Sequence, residues 1–246
     1  MQNRYVGDVG DFGKYALLRY IAQTGLRLGV NWYLAPDENH NADGKHITYL
    51  SKSNYKELDS ELYDVLNEIL KKGTRNVTSI ENSNLIPDNT IFYNAILDVS
   101  NEADHIKRRT QRATWHQTAL SCLYDSDVIF LDPDNGLEVQ SVSLTGQKGN
   151  KYIGLDELKD YYKSGKSIIF YNHRERKPEE EYLNKFRALK KDAVYKNSTW
   201  MGLKFVRGTI RDYIFVLQPQ HAEMIKLQLE KILNSSWSQH FFKLEV

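Results

Sequence analysis

The chain has 246 residues, of which 41% are hydrophobic and 26% are charged, and its 33 basic side chains nearly balance its 32 acidic ones. The formal net charge of +1 excludes a polybasic protein that binds nucleic acid over its whole surface, but it is compatible with a local basic groove. The single cysteine excludes a disulfide framework, and no apolar run approaches the roughly 20 residues of a membrane-spanning helix, so we expect a soluble, cytoplasmic protein with no membrane partner.

The hydrophobic pattern predicts helices and strands that alternate along the chain. In the first half it predicts a helix at 14–23, a strand at 28–35, a helix at 54–72, weaker strands at 77–80 and 90–97, and a long helix at 103–124. In the second half it predicts a strand at 127–131, a helix at 155–163, a strand at 167–171, a helix at 178–191, strands at 199–207 and 211–217, and a helix at 220–233.

Short apolar strands that alternate with helices predict an α/β fold with a single, mostly parallel sheet and helices on both faces. The last two strands flank Gly208 and Thr209, which predicts a C-terminal antiparallel hairpin. No linker or repeat divides the chain, so we expect one domain over residues 1–246. In such sheets the ligand lies beyond the carboxyl ends of the strands, and three polar loops follow those ends, at 36–45, 132–136 and 172–177.

The most informative motif follows the strand at 127–131 and reads Phe-Leu-Asp-Pro-Asp-Asn-Gly-Leu-Glu-Val. Asp132 stands at the strand tip, partly shielded from water, where its carboxylate can accept a hydrogen bond from an amine. Asp134 and Asn135 follow it, and Gly136 allows the backbone to turn sharply. The same letters also favour a simple turn. Because three polar strand ends converge here, we favour a catalytic site with Asp132, Asp134 and Asn135.

The loop after the first predicted strand is dense in polar side chains. It contains Asp37, Glu38, His40, Asn41, Asp43 and His46. Such a set can coordinate a metal or activate a water molecule. The spacing matches no particular metal class, so a solvated loop is an equally good interpretation, and we predict no metal site.

The loop that follows the strand at 167–171 carries amide, imidazole and guanidinium groups. Asn172 and His173 are suited to hold the edge of a base, while Arg174 and Arg176 are suited to hold phosphate. Surface charges beside the start of a helix are the alternative interpretation.

Three glycines spaced three residues apart precede the first predicted helix, in Gly-Asp-Val-Gly-Asp-Phe-Gly-Lys. A glycine-rich loop at a helix N-terminus presents backbone amides to an anion, although this spacing is not a nucleotide-binding fingerprint. We expect Asp11 and Lys14 to contact a cofactor, and the loop and helix at about residues 1–25 to pack over the site.

The helix at 103–124 places Arg108, Arg112 and Trp115 on one face, with the opposite seam, Ile106 to Leu120, toward the core. Basic side chains interleaved with an aromatic ring suit a nucleic-acid backbone with an unstacked base nearby. A charged, solvated face is an equally good interpretation.

The order of these motifs resembles the S-adenosylmethionine-dependent methyltransferase fold, and more narrowly the ribosomal-RNA adenine-N6 methyltransferases with a short N-terminal helix before the first strand. The likeness covers most of the chain, from the Gly-Asp-rich start, through the strand ends at Asn-Trp-Tyr-Leu-Ala-Pro-Asp, Leu-Asp-Pro-Asp-Asn-Gly and Phe-Tyr-Asn-His, to the late hairpin. It implies a Rossmann-like fold, S-adenosylmethionine near Asp37 and Glu38, and a target base whose exocyclic amine donates to Asp132. The tetrad here reads Asp-Pro-Asp-Asn, without the second proline or the aromatic residue, and the first-strand loop has no glycine before Gly44.

Two enzymatic hypotheses follow, both with nucleic acid, DNA or RNA, as the partner. The first is methylation of an unstacked base that is oriented by Asp132. The second is hydrolysis without S-adenosylmethionine, by a DNA glycosylase or a metal-dependent nuclease of the kind used in phage defence. The second is favoured by the acid- and histidine-rich loops, which contain Asp37, His40, Asp132, Asp134, Glu138 and His173. A third hypothesis is a catalytically inactive methyltransferase fold that serves as a binding module.

Overall fold

The structure, a computed structural model, describes residues 1–38, 43–99 and 102–246. The helices in these ranges are α1 Val9–Ala22, α2 Ser53–Lys56, α3 Ser60–Lys72, α4 Val77–Glu81, α5 His105–Cys122, α6 Leu155–Lys163, α7 Glu179–Lys190 and α8 Pro219–Leu233. The strands are β1 Leu28–Asn31, β2 Ile91–Tyr93, β3 Val128–Leu131, β4 Gly136–Leu137, β5 Tyr152–Ile153, β6 Ser167–His173, β7 Thr199–Arg207, β8 Thr209–Leu217 and β9 Phe241–Leu244.

Seven strands form one sheet in the order β2-β1-β3-β6-β8-β7-β9, and β4 pairs with β5 separately. The first four strands of this order are parallel, whereas the β6–β8, β8–β7 and β7–β9 pairs are antiparallel. The α/β class is therefore confirmed, but the expected mostly parallel sheet is wrong, because half of its strand pairs are antiparallel. The tight turn at Gly208, with φ of 74°, reverses the chain between β7 and β8 and creates the mixed sheet.

Hydrophobic side chains cover both faces of the sheet. On one face, Phe130 and Phe215 pack with side chains of α1, α3 and α8. On the other face, Leu131 and Phe170 pack with side chains of α5, α6 and α7. Because successive side chains of a strand alternate between the faces, Asp132 emerges on the same face as Phe130, the face that α1 covers.

Helix α1 begins at Val9, five residues earlier than predicted, because the Asp8 side chain accepts a hydrogen bond from the Gly10 amide at the helix start. Gly10 and Gly13 lie inside the helix. A Cβ atom at Gly10 would lie 1.8 Å from the Arg211 guanidinium carbon, and one at Gly13 would lie 2.6 Å from the Phe205 ring. The glycine spacing therefore serves close packing of α1 on β7 and β8, and not a loop that presents amides to an anion.

Three further elements differ from the sequence-based prediction. Residues 77–80, predicted as a strand, belong to α4, whose N-cap Asn76 accepts a hydrogen bond from the Ser79 amide. The predicted helix at 54–72 divides into α2 and α3, because Asp59 caps a new helix start. The edge strand β9 was not predicted. No helix in the described ranges is long and apolar enough to cross a membrane.

Candidate functional site

Three ionisable side chains meet beyond the carboxyl end of β3. Lys14 Nζ lies 2.6 Å from Asp132 Oδ2 and 2.9 Å from Asp11 Oδ1. The exposed fractions of Lys14, Asp132 and Asp11 are 4%, 4% and 7%. Asp11 and Lys14 lie one turn apart on the buried face of α1, so both reach the tip of β3. Three of the residues predicted for the site are therefore in direct contact.

The electrostatics of this cluster are set by burial and by the balance of its charges. Burial raises the pKa of Asp11 to about 6, against the opposing effect of Lys14, and neighbouring Asp132 adds to the rise. Burial alone would lower the pKa of Lys14, but Asp11 and Asp132 together raise it above its ordinary value. Lys14 is therefore a cation held between two carboxyl groups, one of which exchanges its proton near neutral pH.

The N-terminal residue lies at the tips of β1 and β3. The Met1 amino nitrogen lies 2.7 Å from the Asp132 carbonyl oxygen, 3.2 Å from the Tyr33 carbonyl oxygen and 2.8 Å from Asp134 Oδ1. The Met1 sulfur lies 3.5 Å from Lys14 Nζ. The Met1 side chain thus extends from the carbonyl pair to the ion-pair cluster.

Asp134 is held on the same side by several donors. Gln2 Nε2 donates to Asp134 Oδ2 at 2.6 Å, and Lys151 Nζ lies 3.9 Å away. Burial alone would raise the pKa of Asp134, but the Met1 amino group, Gln2 and Lys151 lower it below its ordinary value. Asp134 is therefore a buried carboxylate that remains ionised. The backbone amide of the next residue, Asn135, donates to the Lys151 carbonyl, and the Asn135 carbonyl accepts from the His173 amide.

Tyr171 on β6 lies beside Asp132. The register pairs Leu131 with Phe170, and Asp132 and Tyr171 are the next residues on the two strands, so both lie on the same face of the sheet. The Tyr171 ring is half-buried, and its hydroxyl lies 3.2 Å from Nδ1 of the exposed His173. Burial, and then Arg211, lower the pKa of His173. Arg211 itself donates to Asp8 Oδ1 at 3.0 Å. Arg211 and Tyr171 were missed in the sequence, although the predicted hairpin brings Arg211 to the tip of β6.

Two candidate nucleic-acid residues on the tip of β6 bind other parts of the protein. Asn172 is fully buried, accepts from the Leu137 amide at 3.0 Å and donates to the Tyr182 hydroxyl at 2.8 Å. Arg174 donates from Nε and Nη2 to the two oxygens of the buried Asp212, at 3.0 Å each. Both side chains are therefore engaged within the protein, and their roles toward a base edge and a phosphate stay predictions. Arg176 remains exposed beside His173.

Helix α5 presents the opposite face to that predicted. Arg112 is buried, and its Nε donates to Glu157 Oε1 at 2.6 Å. Trp115 is also buried and donates from Nε1 to the Ala95 carbonyl at 2.9 Å, while Arg108 is partly exposed. The predicted core residue Ile106 is 73% exposed. Arg108, Arg112 and Trp115 therefore do not form one exposed face, because Arg112 is buried in an ion pair with Glu157, and a nucleic-acid role for these residues stays a prediction.

The loop after β1 holds the N-terminal segment. Asp37 is exposed, and its carboxylate accepts from the Arg4 amide at 3.2 Å. Glu38 is half-buried and pairs with Lys151 at 2.5 Å. His40 and Asn41 lie outside the described residues. In the ranges that the structure describes, no group of three or more His, Cys, Asp or Glu side chains is arranged to hold a metal ion.

No protein-family model and no curated protein matches the chain. Among solved structures, protein LPL1258 from Legionella pneumophila str. Philadelphia 1, which is titled with the family model DUF519, is similar to this chain. It has 11% sequence identity, covers 97% of this chain and 95% of its own, and gives a TM-score of 0.47. At this level the likeness says nothing about activity.

Proposed function

We propose that this protein is an S-adenosylmethionine-dependent methyltransferase with a Rossmann-like fold, and that it modifies an amine-bearing base of nucleic acid. The observation that carries the proposal is the position of Met1. The binding surface at the tips of β1 and β3 accommodates an α-amino group at one end of a methionine and its sulfur at the other.

Three acceptors converge on the α-amino position: two backbone carbonyls, of Tyr33 and Asp132, and the carboxylate of Asp134. A primary ammonium has three donors and no acceptor; here two backbone carbonyls accept hydrogen bonds from it and the Asp134 carboxylate pairs with its charge. S-adenosylmethionine carries the same α-ammonium, separated from its sulfur by the same three-carbon chain as in methionine. The residues present therefore fit the amino-acid end of the cofactor, which would replace Met1 there.

The charge at the amino end of the site also suits this ligand. Three carboxyl groups, Asp11, Asp132 and Asp134, lie around Met1, and the side-chain cations that contact them are Lys14 and, at 3.9 Å from Asp134, Lys151. At the sulfur end the Lys14 ammonium lies 3.5 Å from the Met1 sulfur, and Asp11 and Asp132 balance its charge there. An excess of buried negative charge is stabilised by a cationic ligand.

In this proposal Asp132 accepts a hydrogen bond from the exocyclic amine of the target base. Lys14 already donates to Oδ2, and within the described part of the chain no hydrogen bond reaches Oδ1. Lys14 keeps the carboxylate in place, and Tyr171 borders it on the next strand. When bound, the cofactor supplies an electrophilic methyl group, so the protein contributes mainly position and electrostatics.

Nucleic acid as the substrate is supported by the exposed basic and aromatic groups at the same edge of the sheet. His173 is exposed beside Tyr171, and the exposed Arg176 follows in the same loop. A base must leave its stack to reach Asp132, and basic side chains beside the site would then hold the flanking phosphates.

Isothermal titration with S-adenosylmethionine tests the proposal. We expect binding by the wild type and about tenfold or greater weakening in Asp134→Asn, because a charge-assisted hydrogen bond contributes about 1.5–3 kcal/mol. Asp125→Asn is the matched control: Asp125 is exposed and precedes β3, at the opposite end of that strand from the site, so we expect wild-type affinity. Transfer of labelled methyl groups to single-stranded DNA and RNA, lost in Asp132→Asn, then tests the reaction. Absence of binding both by the wild type and by Gln2→Ala, a variant that loosens the N-terminal segment, would contradict the proposal.

Hydrolysis of a nucleic-acid base is the second candidate, and one observation favours it. Asp11, with its pKa raised to about 6, lies in the cluster that contains Asp132 and is suited to exchange a proton near neutral pH. Release of free base from DNA by a protein that does not bind S-adenosylmethionine, and loss of that release in Asp11→Asn, would support this candidate over methyl transfer.

A further inference from the structure

Tyr33 has an unusual backbone conformation at the point where its carbonyl meets the Met1 amino group. Its φ is 42°, in the left-handed region that favours glycine, and it is one of two non-glycine residues with positive φ in the described ranges. The loop after β1 has no glycine before Gly44. Tyr33 therefore adopts a conformation that glycine usually supplies, at a cost of about 1–3 kcal/mol.

Buried contacts at the backbone amide and at the side-chain hydroxyl hold Tyr33 in this conformation. Its amide donates to Asn31 Oδ1 at 2.9 Å, and its hydroxyl donates to Glu157 Oε2 at 3.1 Å. Its ring packs edge-on against Trp115, with 4.8 Å between the ring centroids. The side chain is fully buried.

Glu157 is fixed in turn by Arg112 and by the start of α6. Arg112 Nε and Nη2 donate to its two oxygens at 2.6 and 2.8 Å, and the Gly154 amide donates to Oε2 at 2.8 Å. Arg112 also donates to the Gly149 and Tyr152 carbonyls, at 2.8 and 2.7 Å. A bidentate guanidinium–carboxylate pair of this kind fixes orientation as well as position.

We infer that Glu157 and Arg112 are positioning residues for the cofactor, acting through the Tyr33 hydroxyl to turn the Tyr33 carbonyl toward the α-ammonium. This rests on the proposed function, because the ammonium is that of S-adenosylmethionine. Arg112 thereby has a role at the site, from inside the protein and without contacting nucleic acid.

Affinity for S-adenosylmethionine in Tyr33→Phe tests the link. The variant loses only the hydroxyl donor, and we expect about tenfold weaker binding, the equivalent of one buried hydrogen bond to a charged group. Tyr63→Phe is the matched control, because the buried Tyr63 hydroxyl bonds the Leu50 carbonyl away from the site. We expect this control to lower Tm by a similar amount and to leave the affinity unchanged. A Tyr33→Phe variant with lowered Tm and wild-type affinity would overturn the inference.

A double-mutant comparison separates positioning from stability. Glu157→Gln lowers Tm whatever residue is at position 33, since it breaks the pair with Arg112. We expect it to weaken S-adenosylmethionine binding in the wild-type background and to have no further effect on affinity in a Tyr33→Gly background. Equal weakening in both backgrounds would show that Glu157 acts by another route.

The backbone strain is tested without any ligand. Tyr33→Gly should have a Tm about 2–6 °C above that of Tyr33→Ala, because the left-handed φ is strained for alanine and not for glycine. The reverse order would contradict the strained conformation. If neither variant folds, the Tyr33→Phe affinity decides the inference. Failure of both the wild type and Gln2→Ala, which loosens the N-terminal segment, to bind S-adenosylmethionine defeats the proposed function, whereas wild-type binding that Tyr33→Phe leaves unchanged defeats only the positioning role.

Discussion

Lys14 and Asp132 are 118 positions apart in the sequence, yet Lys14 Nζ donates to Asp132 Oδ2 at 2.6 Å in the buried space between α1 and the tip of β3. Asp11 accepts from the same ammonium. This contact joins the first helix to the centre of the sheet, so the position of the Asp132 carboxylate depends on Lys14.

Replacing Lys14 with methionine tests how strongly the fold depends on this cation. Lys14→Met leaves two buried carboxyl groups without their partner, so we expect a loss of about 3–5 kcal/mol, or roughly 10 °C in Tm. Lys72→Met is the control, because Lys72 pairs with Glu68 at the same 2.6 Å but both side chains are more than 60% exposed. There we expect about 0–1 kcal/mol. Equal losses in the two variants would show that the buried pair stabilises the fold no more than the exposed pair does.

The pKa of Asp11 predicts a pH dependence of stability. Its pKa rises from 3.8 to about 6 on folding, so the folded state binds more protons than the unfolded chain between those values. The free energy of unfolding therefore falls as the pH rises through this window. A difference of this size between the folded and unfolded pKa corresponds to about 3 kcal/mol.

Asp11→Asn mimics the protonated carboxyl and should escape this loss. We expect its Tm to rise relative to the wild type between about pH 4 and about pH 7. Asp125→Asn, at an exposed carboxyl group, serves as the control and should follow the wild type at every pH. Parallel curves for Asp11→Asn and the wild type would show that Asp11 has an ordinary pKa.

Loosening the N-terminal segment should raise the affinity for S-adenosylmethionine. Gln2 donates to Asp134 at 2.6 Å and accepts from the Glu38 amide at 2.9 Å, and both bonds hold Met1 in the position that the ligand needs. At about 1 kcal/mol for each bond, Gln2→Ala should bind about 5–30 times more tightly by titration. Gln140→Ala, at an exposed glutamine, should match the wild type. Weaker binding by Gln2→Ala would mean that Gln2 supports the ligand.

Gly10 is explained by Arg211, and this relationship can be tested by two substitutions together. In Gly10→Ala the new methyl group displaces the guanidinium from Asp8, and we expect a loss of about 1–3 kcal/mol in denaturant unfolding. In an Arg211→Ala background the space is open. Gly10→Ala should there be neutral or stabilise by up to about 1 kcal/mol, because alanine favours the helix. The same loss in both backgrounds would assign the glycine to another cause.

Much of the framework could be predicted from the sequence. Two apolar runs, 127–131 and 167–171, correspond to the adjacent central strands β3 and β6, and β7 has the predicted bounds. Asp132 was placed correctly at a strand tip, because a polar residue that ends a buried strand must lie at the sheet edge. Asp11 and Lys14 were expected near the site, and Lys14 does contact Asp132 while Asp11 pairs with the same ammonium. The roles of all three remain predictions.

Other parts of the site could not be predicted, for reasons of chemistry. Arg112 was assigned to a solvated face because a hydrophobicity pattern places charged side chains outside, whereas its pair with Glu157 makes its burial favourable. Nothing in the sequence around Tyr33 indicates a left-handed backbone conformation, since tyrosine is typical of strands.

The sequence by itself determined the α/β class, the buried strands and the polar strand ends, because alternation and apolar runs express local preferences and burial. Only the tertiary structure decided that half the strand pairs are antiparallel, that the glycines of α1 fit against Arg211 and Phe205, and that the Met1 nitrogen lies between Tyr33 and Asp132. Each of these features depends on contacts between residues that are far apart in the chain. A hydrogen bond or ion pair between residues far apart in the chain leaves no periodic signal, since its energy depends on geometry that exists only after the sheet has assembled.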